Sequence, residues 1–264
     1  MRTALVQVAS PAGEPAGERR RRIGDMVAEA AGADLVVLPE LWLSGYFAFD
    51  AYAELAEPLH GDTVSAAREW AVRLGCHLHM GSVLERDGQG RLYNTAVLIG
   101  PDGEIVHTYR KIHVFGYRSR EADLLTPGEQ VGAVDTGLGR LGTTTCYDLR
   151  FPELYRALID EGAETIVVCS AWPATRIAHW RLFTSTRAVE EQVVLIACNA
   201  VGEQADGVRL AGHSRVVDPW GEVLVEAGED EGVTFCDIDR SVVAAARAEF
   251  PVLADRRLTL EKVN

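Results

Sequence analysis

Three residues of this 264-residue chain pair a reactive side chain with a position just past a strand-like run. Cys146 ends RLGTTTC, Lys111 ends EIVHTYRK, and Glu40 follows DLVVLP. Ligands of α/β sheets collect at the carboxyl ends of strands, so three such ends can converge on one cleft. Cys146 is followed by Tyr-Asp-Leu-Arg-Phe and then Pro152, which reads as strand, sharp turn and helix with proline in the first helical turn. That layout is a nucleophile elbow, which lifts the sulfur clear of the sheet and turns backbone N–H groups toward a developing oxyanion. A free thiol ionises near ~8.5, so at neutral pH it needs help from a cation or a base. No histidine stands in an orienting frame, and His113 reads as a strand-end hydrogen-bonder. A lysine can stabilise the thiolate and then the oxyanion, while a carboxylate that exchanges protons serves as general base. Glu40, costly to bury beside an apolar strand unless paired, is the natural carboxylate. Counting points to Lys111 as well. Of 26 basic residues 24 are Arg, and lysine occurs at Lys111 and Lys262 alone, so 111 is the one interior place where a compact amine was kept.

The elements that must position these groups alternate between short apolar runs and amphipathic stretches, the pattern of an α/β protein. Strands are expected over 3–9, 34–38 and 77–84, with helices over 18–31 and 63–74. Hairpin strands follow over 93–99 and 104–111, flanking Gly-Pro-Asp-Gly, then strands over 131–135 and 140–145. After Cys146 the alternation returns, with helices over 152–161 and 177–190 and strands over 165–170 and 193–199. A second hairpin turns around Pro219-Trp220-Gly221, GVTFCDID follows it, and a last helix is expected near 242–249. This order suggests two sheets packed on each other with helices outside each, four layers in one domain spanning 1–264. Arg19 to Arg22, at the start of an amphipathic helix, reads as a solvated face.

Composition narrows the classes further. The formal charge is −13 with 47% apolar residues. A disordered chain would be less apolar, and a binder of nucleic-acid backbone would carry a basic surplus. No apolar run approaches the ~18 residues of a membrane helix, and MRTALVQVAS lacks the features of a secretory signal. Five scattered cysteines without a CxxC fit reduced thiols in a cytoplasmic protein.

The segments LVVLPELWLSGY (35–46), YRKIHVFG (109–116), CYDLRFPELYR (146–156) and AGHSRVVDPWGEVL (211–224) resemble, in order and across nearly the whole chain, the carbon-nitrogen hydrolases of the nitrilase superfamily. The resemblance implies a four-layer αββα sandwich, a Glu-Lys-Cys triad at Glu40, Lys111 and Cys146, and two-fold assembly through the helices after the nucleophile. It also implies a second glutamate ahead of a Pro-Gly, here Glu121 in EADLLTPG. One departure is Thr143-Thr144-Thr145, more polar than usual before the nucleophile, which suggests an unusual pocket floor.

The resemblance and the residue chemistry together imply thioester hydrolysis of a small amide, with the oxyanion held by Lys111 and the Tyr147 N–H and with no metal or organic cofactor. SAWPATRIAHWRL (170–182) supplies Trp172, Arg176, His179 and Trp180, similar to segments bordering the pocket in omega-amidase-like members. Arg176 could clamp a substrate carboxylate, with Tyr46 and Trp172 beside it. Dicarboxylate monoamides are therefore the first expectation, aliphatic amides or N-carbamoyl compounds the second, and nitriles the last. Two other classes stay open: a silent binding module, and a metal hydrolase using Cys76, His77 and His79, the two histidines sharing one strand face.

Overall fold

Alternate side chains along the long strands enter two different apolar environments, and that period of two builds the layers. The computed structural model describes residues 1–204 and 207–258; Lys262 lies outside them. The first half of the chain runs β1 (Arg2–Gln7), α1 (Ala16–Ala28), β2 (Leu35–Val37), α2 (Tyr52–Leu55), α3 (Asp62–Leu74), β3 (His77–Arg86), β4 (Leu92–Ile99), β5 (Ile105–Arg110) and α4 (Glu121–Leu124). Next come β6 (Ala133–Thr136), β7 (Gly139–Thr145), α5 (Pro152–Asp160), β8 (Thr165–Ser170), α6 (Ile177–Glu191) and β9 (Val194–Asn199). The chain finishes through β10 (Val201–Glu203), β11 (Arg209–Ala211), β12 (Arg215–Val217), β13 (Val223–Glu226), β14 (Gly232–Asp237) and α7 (Ser241–Glu249).

Two mixed six-stranded sheets result, in the orders β14-β1-β2-β3-β4-β5 and β13-β12-β9-β8-β7-β6. Leu5, Leu35, Val37 and Leu98 of the first sheet meet Leu141, Val167, Val194 and Ile196 of the second in one shared core. Their neighbours along the same strands face outward. Ala4, Val6, Val36 and Leu78 pack under Ile23, Val27, Val64 and Trp70 of α1 and α3, while Ile166, Val168, Leu195 and Ala197 pack under Leu154, Leu158, Trp180 and Ala188 of α5 and α6. The architecture is thus a four-layer αββα sandwich.

Two sequence expectations change. Arg19 is buried, because it falls on the same helical stripe as Ile23 and Val27. Its guanidinium donates to the carbonyls of Leu43 at 2.7 Å and Pro11, and pairs with Glu14 at 2.9 Å. Only part of the arginine run is therefore solvated. The His77 and His79 strand face does not gather ligands either. His79 is sealed between the sheets with neither ring nitrogen hydrogen-bonded, and among the described residues no group of three or more His, Cys, Asp or Glu is placed to hold a metal.

Candidate active site

Parallel pairing of β1, β2 and β3, and of β7, β8 and β9, aligns their carboxyl ends and puts Glu40 and Cys146 on the same side of the sandwich. Backbone fixes the glutamate first. Gly81, in an irregular stretch of β3 and at a φ of +70°, passes so close to the Glu40 loop that a Cβ would lie 1.9 Å from the Pro39 carbonyl oxygen. Gly128 does the same for the lysine: its N–H donates to the Lys111 carbonyl at 2.8 Å, and a Cβ there would sit 2.1 Å from the Arg110 carbonyl oxygen. No side chain fits at either contact.

Glu40 and Lys111 are 1% exposed and Glu121 is fully buried. The Lys111 ammonium donates to Glu40 Oε1 at 2.8 Å and to Glu121 Oε1 and Oε2 at 2.9 and 3.0 Å. The second oxygen of Glu40 accepts from the Ala171 N–H at 2.9 Å. Glu121 also accepts from the Tyr46 hydroxyl at 3.0 Å and the Phe115 N–H at 2.6 Å. Burial opposes the lysine's charge, but two adjacent carboxylates outweigh it and hold the ammonium protonated well above the ordinary range. Burial likewise pushes the Glu40 carboxyl up, with the Lys111 charge working against that shift and the Glu121 charge adding to it.

Cys146 takes a φ of +48°, a left-handed conformation that a non-glycine residue holds only when its surroundings impose it. The turn Cys146–Arg150 starts there with a capping box between Thr145 and Asp148. Burial, and next the Glu40 charge, drive the thiol well above its usual range, so the resting sulfur is protonated beside a carboxyl of raised basicity. The threonines ahead of it do not form the pocket floor. Thr144 Oγ1 bonds the Tyr155 hydroxyl at 2.8 Å, and Thr145 Oγ1, besides capping the turn, lies 3.6 Å from Cys169 Sγ.

The pocket over the sulfur is walled by Tyr46, Phe47, Phe115, Trp172 and Pro173, with Arg150 and Arg176. Of the residues singled out from sequence, Tyr46, Trp172 and Arg176 reach it; Trp180 and His179 do not. Trp180 is core, its indole N–H donating to the His213 carbonyl, and His179 stands behind Arg150 at 3.3 Å. The Trp172 indole N–H is committed to the Arg176 carbonyl at 2.8 Å, so this ring is a wall and not a donor.

Two polar residues escaped the sequence reading. Asn94, on β4, donates through Nδ2 to both Glu40 Oε1 at 2.8 Å and Glu121 Oε1 at 3.1 Å, tying the carboxylates together. Arg150 stands four residues after the cysteine on the same turn, its guanidinium within 4.9 to 6.0 Å of the ring centres of Trp172, Phe183 and Tyr147. Its spacing from Cys146 was the available signal. Asn94 offered none, because cross-strand pairing brings it to the site.

Residues 2–248 match the sequence model described as Carbon-nitrogen hydrolase. The chain is a carbon-nitrogen hydrolase of the nitrilase superfamily. This hydrolase is 38% identical over 261 residues to a 2-oxoglutaramate amidase of Paenarthrobacter nicotinovorans, covering 96% of this chain and 88% of that one. It is 36% identical over 252 residues to human omega-amidase NIT2, covering 92% and 91%. Its fold superimposes on that of Saccharomyces cerevisiae Nit3, a member of branch 10 of the nitrilase superfamily, with a TM-score of 0.89 at 31% identity over 98% and 97% of the two chains. A superfamily protein from Xanthomonas campestris gives 0.91 at 32% identity over 99% and 98%.

Proposed function

We propose that this hydrolase is an omega-amidase-like enzyme, converting dicarboxylate monoamides to the diacid and ammonia through a Cys146 thioester. One observation carries the substrate class. Arg150 and Arg176 both line the pocket over Cys146, and in a chain with 39 acidic residues neither has a carboxylate partner among the described residues. Burial lowers the Arg150 pKa, and the neighbouring Arg176 charge lowers it further. Two like charges held together in a partly dry pocket await an anion, and a carboxylate matches the planar fork of a guanidinium. The names of the amidase relatives point the same way. Arg150 therefore joins Arg176 in the clamp.

The reaction follows from the remaining contacts. Glu40 takes the Cys146 proton and the thiolate adds to the amide carbon. The oxyanion is held by the Lys111 ammonium and by the N–H of Tyr147, at the start of a turn whose first N–H groups have no acceptor within it. Collapse of the adduct breaks the C–N bond, Glu40 returns its proton to the leaving nitrogen, and ammonia departs. Glu40 then takes a proton from water as it adds to the thioester, and the second collapse frees the acid and restores the thiol. Glu121 keeps Lys111 charged and aimed. No step calls on a metal or organic cofactor.

The thiols and one exposed apolar face bear on where the enzyme works and how it assembles. All five cysteines are buried and unpaired, which suits a reducing compartment such as the cytoplasm. Leu182 and Val189 of α6, Val223 and Leu224 of edge strand β13, and the stacked pair Trp220 and Phe250 remain exposed, and a homodimer through this face would cover them. Light scattering of the purified protein should give twice the 28.7 kDa chain mass, and a monomer would discard that part.

The deciding experiment is ammonia release from 2-oxoglutaramate, succinamate, glutamine, short aliphatic amides, N-carbamoyl amino acids and a nitrile, with Cys146→Ala as control. Turnover of the monoamides by wild type alone is expected. Preference for an uncharged amide would overturn the substrate class, and turnover by Cys146→Ala would overturn the nucleophile.

A further inference from the structure

Lys111 must meet Cys146 from the opposite sheet, on a strand end that shares no backbone ladder with the turn carrying the sulfur. Besides Glu40, a second buried carboxylate crosses that gap, and it takes a backbone N–H from each side. Asp148, fully buried, accepts from the Thr145 N–H at 2.9 Å and from the Tyr109 hydroxyl at 2.7 Å through Oδ2, and from the His113 N–H at 3.1 Å through Oδ1. His113 Nδ1 lies 2.7 Å from the same Oδ1. Tyr109 and His113 stand two residues before and two residues after Lys111, and the Tyr109 hydroxyl also accepts from the Ile112 N–H at 3.3 Å. Thr145 immediately precedes the cysteine. The His113 ring stacks on Phe151 at 3.7 Å with the planes 4° apart, so the same segment grips the far end of the turn.

We propose that Asp148 is a positioning residue for acyl transfer, whose carboxylate locks the Lys111 strand end to the Cys146 turn and imposes the left-handed backbone of the nucleophile. Neither partner alone could do this. The capping box would hold the turn without reference to Lys111, and β5 would hold Lys111 without reference to the sulfur. The proposal rests on the Glu-Lys-Cys reading above, because it gives Asp148 no contact with substrate and assigns its effect to the distance between two groups that do the chemistry.

Asparagine cannot substitute. Each Asp148 oxygen receives a backbone N–H, so whichever position the amide nitrogen takes, donor faces donor. Since misplacement of reacting groups by about 1 Å costs roughly 100-fold, Asp148→Asn should lower kcat by about that factor. Tyr109→Phe and His113→Phe, the latter keeping the stack on Phe151, remove one link each and should lower kcat by roughly tenfold, a graded version of the same loss. In all three variants KM should stay within about threefold, since the pocket walls are untouched, and Cys146 alkylation by iodoacetamide, followed by peptide mass mapping, should slow in step with kcat.

The two phenylalanine variants decide the matter if Asp148→Asn does not fold. Native circular dichroism with kcat and alkylation rate both within twofold of wild type would overturn the brace, as would a loss confined to KM. Failure of the underlying triad reading looks different: Cys146→Ala would remain active whatever these variants do.

Discussion

Glu121→Gln removes one charge and keeps the shape. The carboxylate receives four donor groups, Lys111 Nζ, Tyr46 Oη, the Phe115 N–H and Asn94 Nδ2, and offers nothing but acceptors to them. A glutamine carbonyl in the Oε2 position satisfies Tyr46 and Phe115, but its amide nitrogen then faces the ammonium and the Asn94 amide. In the reverse orientation it faces the Phe115 N–H. Breaking a buried ion pair on one side costs about 3–5 kcal/mol, divided between the fold and the transition state. Should half of that fall on catalysis, kcat drops by about 10- to 100-fold at 1.4 kcal/mol per decade. A second consequence has a definite sign. Burial first, and then the Glu121 charge, raise the Glu40 carboxyl, so losing that charge lowers it and leaves a weaker base that ionises at lower pH. The acid limb of kcat/KM should therefore shift to lower pH while the plateau falls. Steady-state ammonia release between pH 4 and 9, with thermal melts on the same samples, reads both effects. A plateau within threefold of wild type and an unmoved acid limb would refute the view that Glu121 acts through Lys111 and Glu40.

Lys111→Arg should cut kcat by about 100- to 1000-fold, the loss of one oxyanion donor, because a planar guanidinium cannot occupy a site shaped to a point charge; wild-type turnover in a coupled ammonia assay would refute it. Arg150→Met should reduce kcat/KM for a dicarboxylate monoamide by about 10- to 100-fold, the worth of a charge-assisted bond, while sparing a short uncharged amide. Equal losses on both substrates would assign Arg150 to structure. His79 supplies a pH test of the fold. Burial, then the neighbouring His107, hold its pKa down at about 3 against 6.5 ordinarily, so the unfolded chain takes up a proton that the folded chain refuses. The stability is whole above pH 6.5 and declines by about 1.4 kcal/mol per pH unit as pH falls toward 3. His79→Leu should therefore gain about 2–3 kcal/mol on wild type between pH 6.5 and 4.5 in denaturant melts; a constant difference across that range would refute it.

Much of the sandwich was legible because its determinants are local. Strands such as DLVVL, TIVVC and VVLIAC are recognisable within themselves, and the ends of β2, β5 and β7 placed Glu40, Lys111 and Cys146 before any tertiary contact was known. What stayed hidden depends on contacts between distant segments. Arg19 can stay on the buried stripe of α1 because Leu43 and Pro11 offer carbonyls to its guanidinium. Asn94 reaches two glutamates by cross-strand register, and Asp148 gains two of its partners, Tyr109 and His113, from a segment 35 to 39 residues away. The four-residue helices α2 and α4 are too short for a 3.6-residue period to show.

The scarcity of lysine reaches beyond catalysis. With the Lys111 amine sealed at 1% exposure, the one other lysine of the sequence is Lys262. Amine-directed coupling, to a resin or a dye, is thereby denied the Lys111 amine, so this hydrolase should tolerate acylating reagents at doses that silence lysine-rich enzymes.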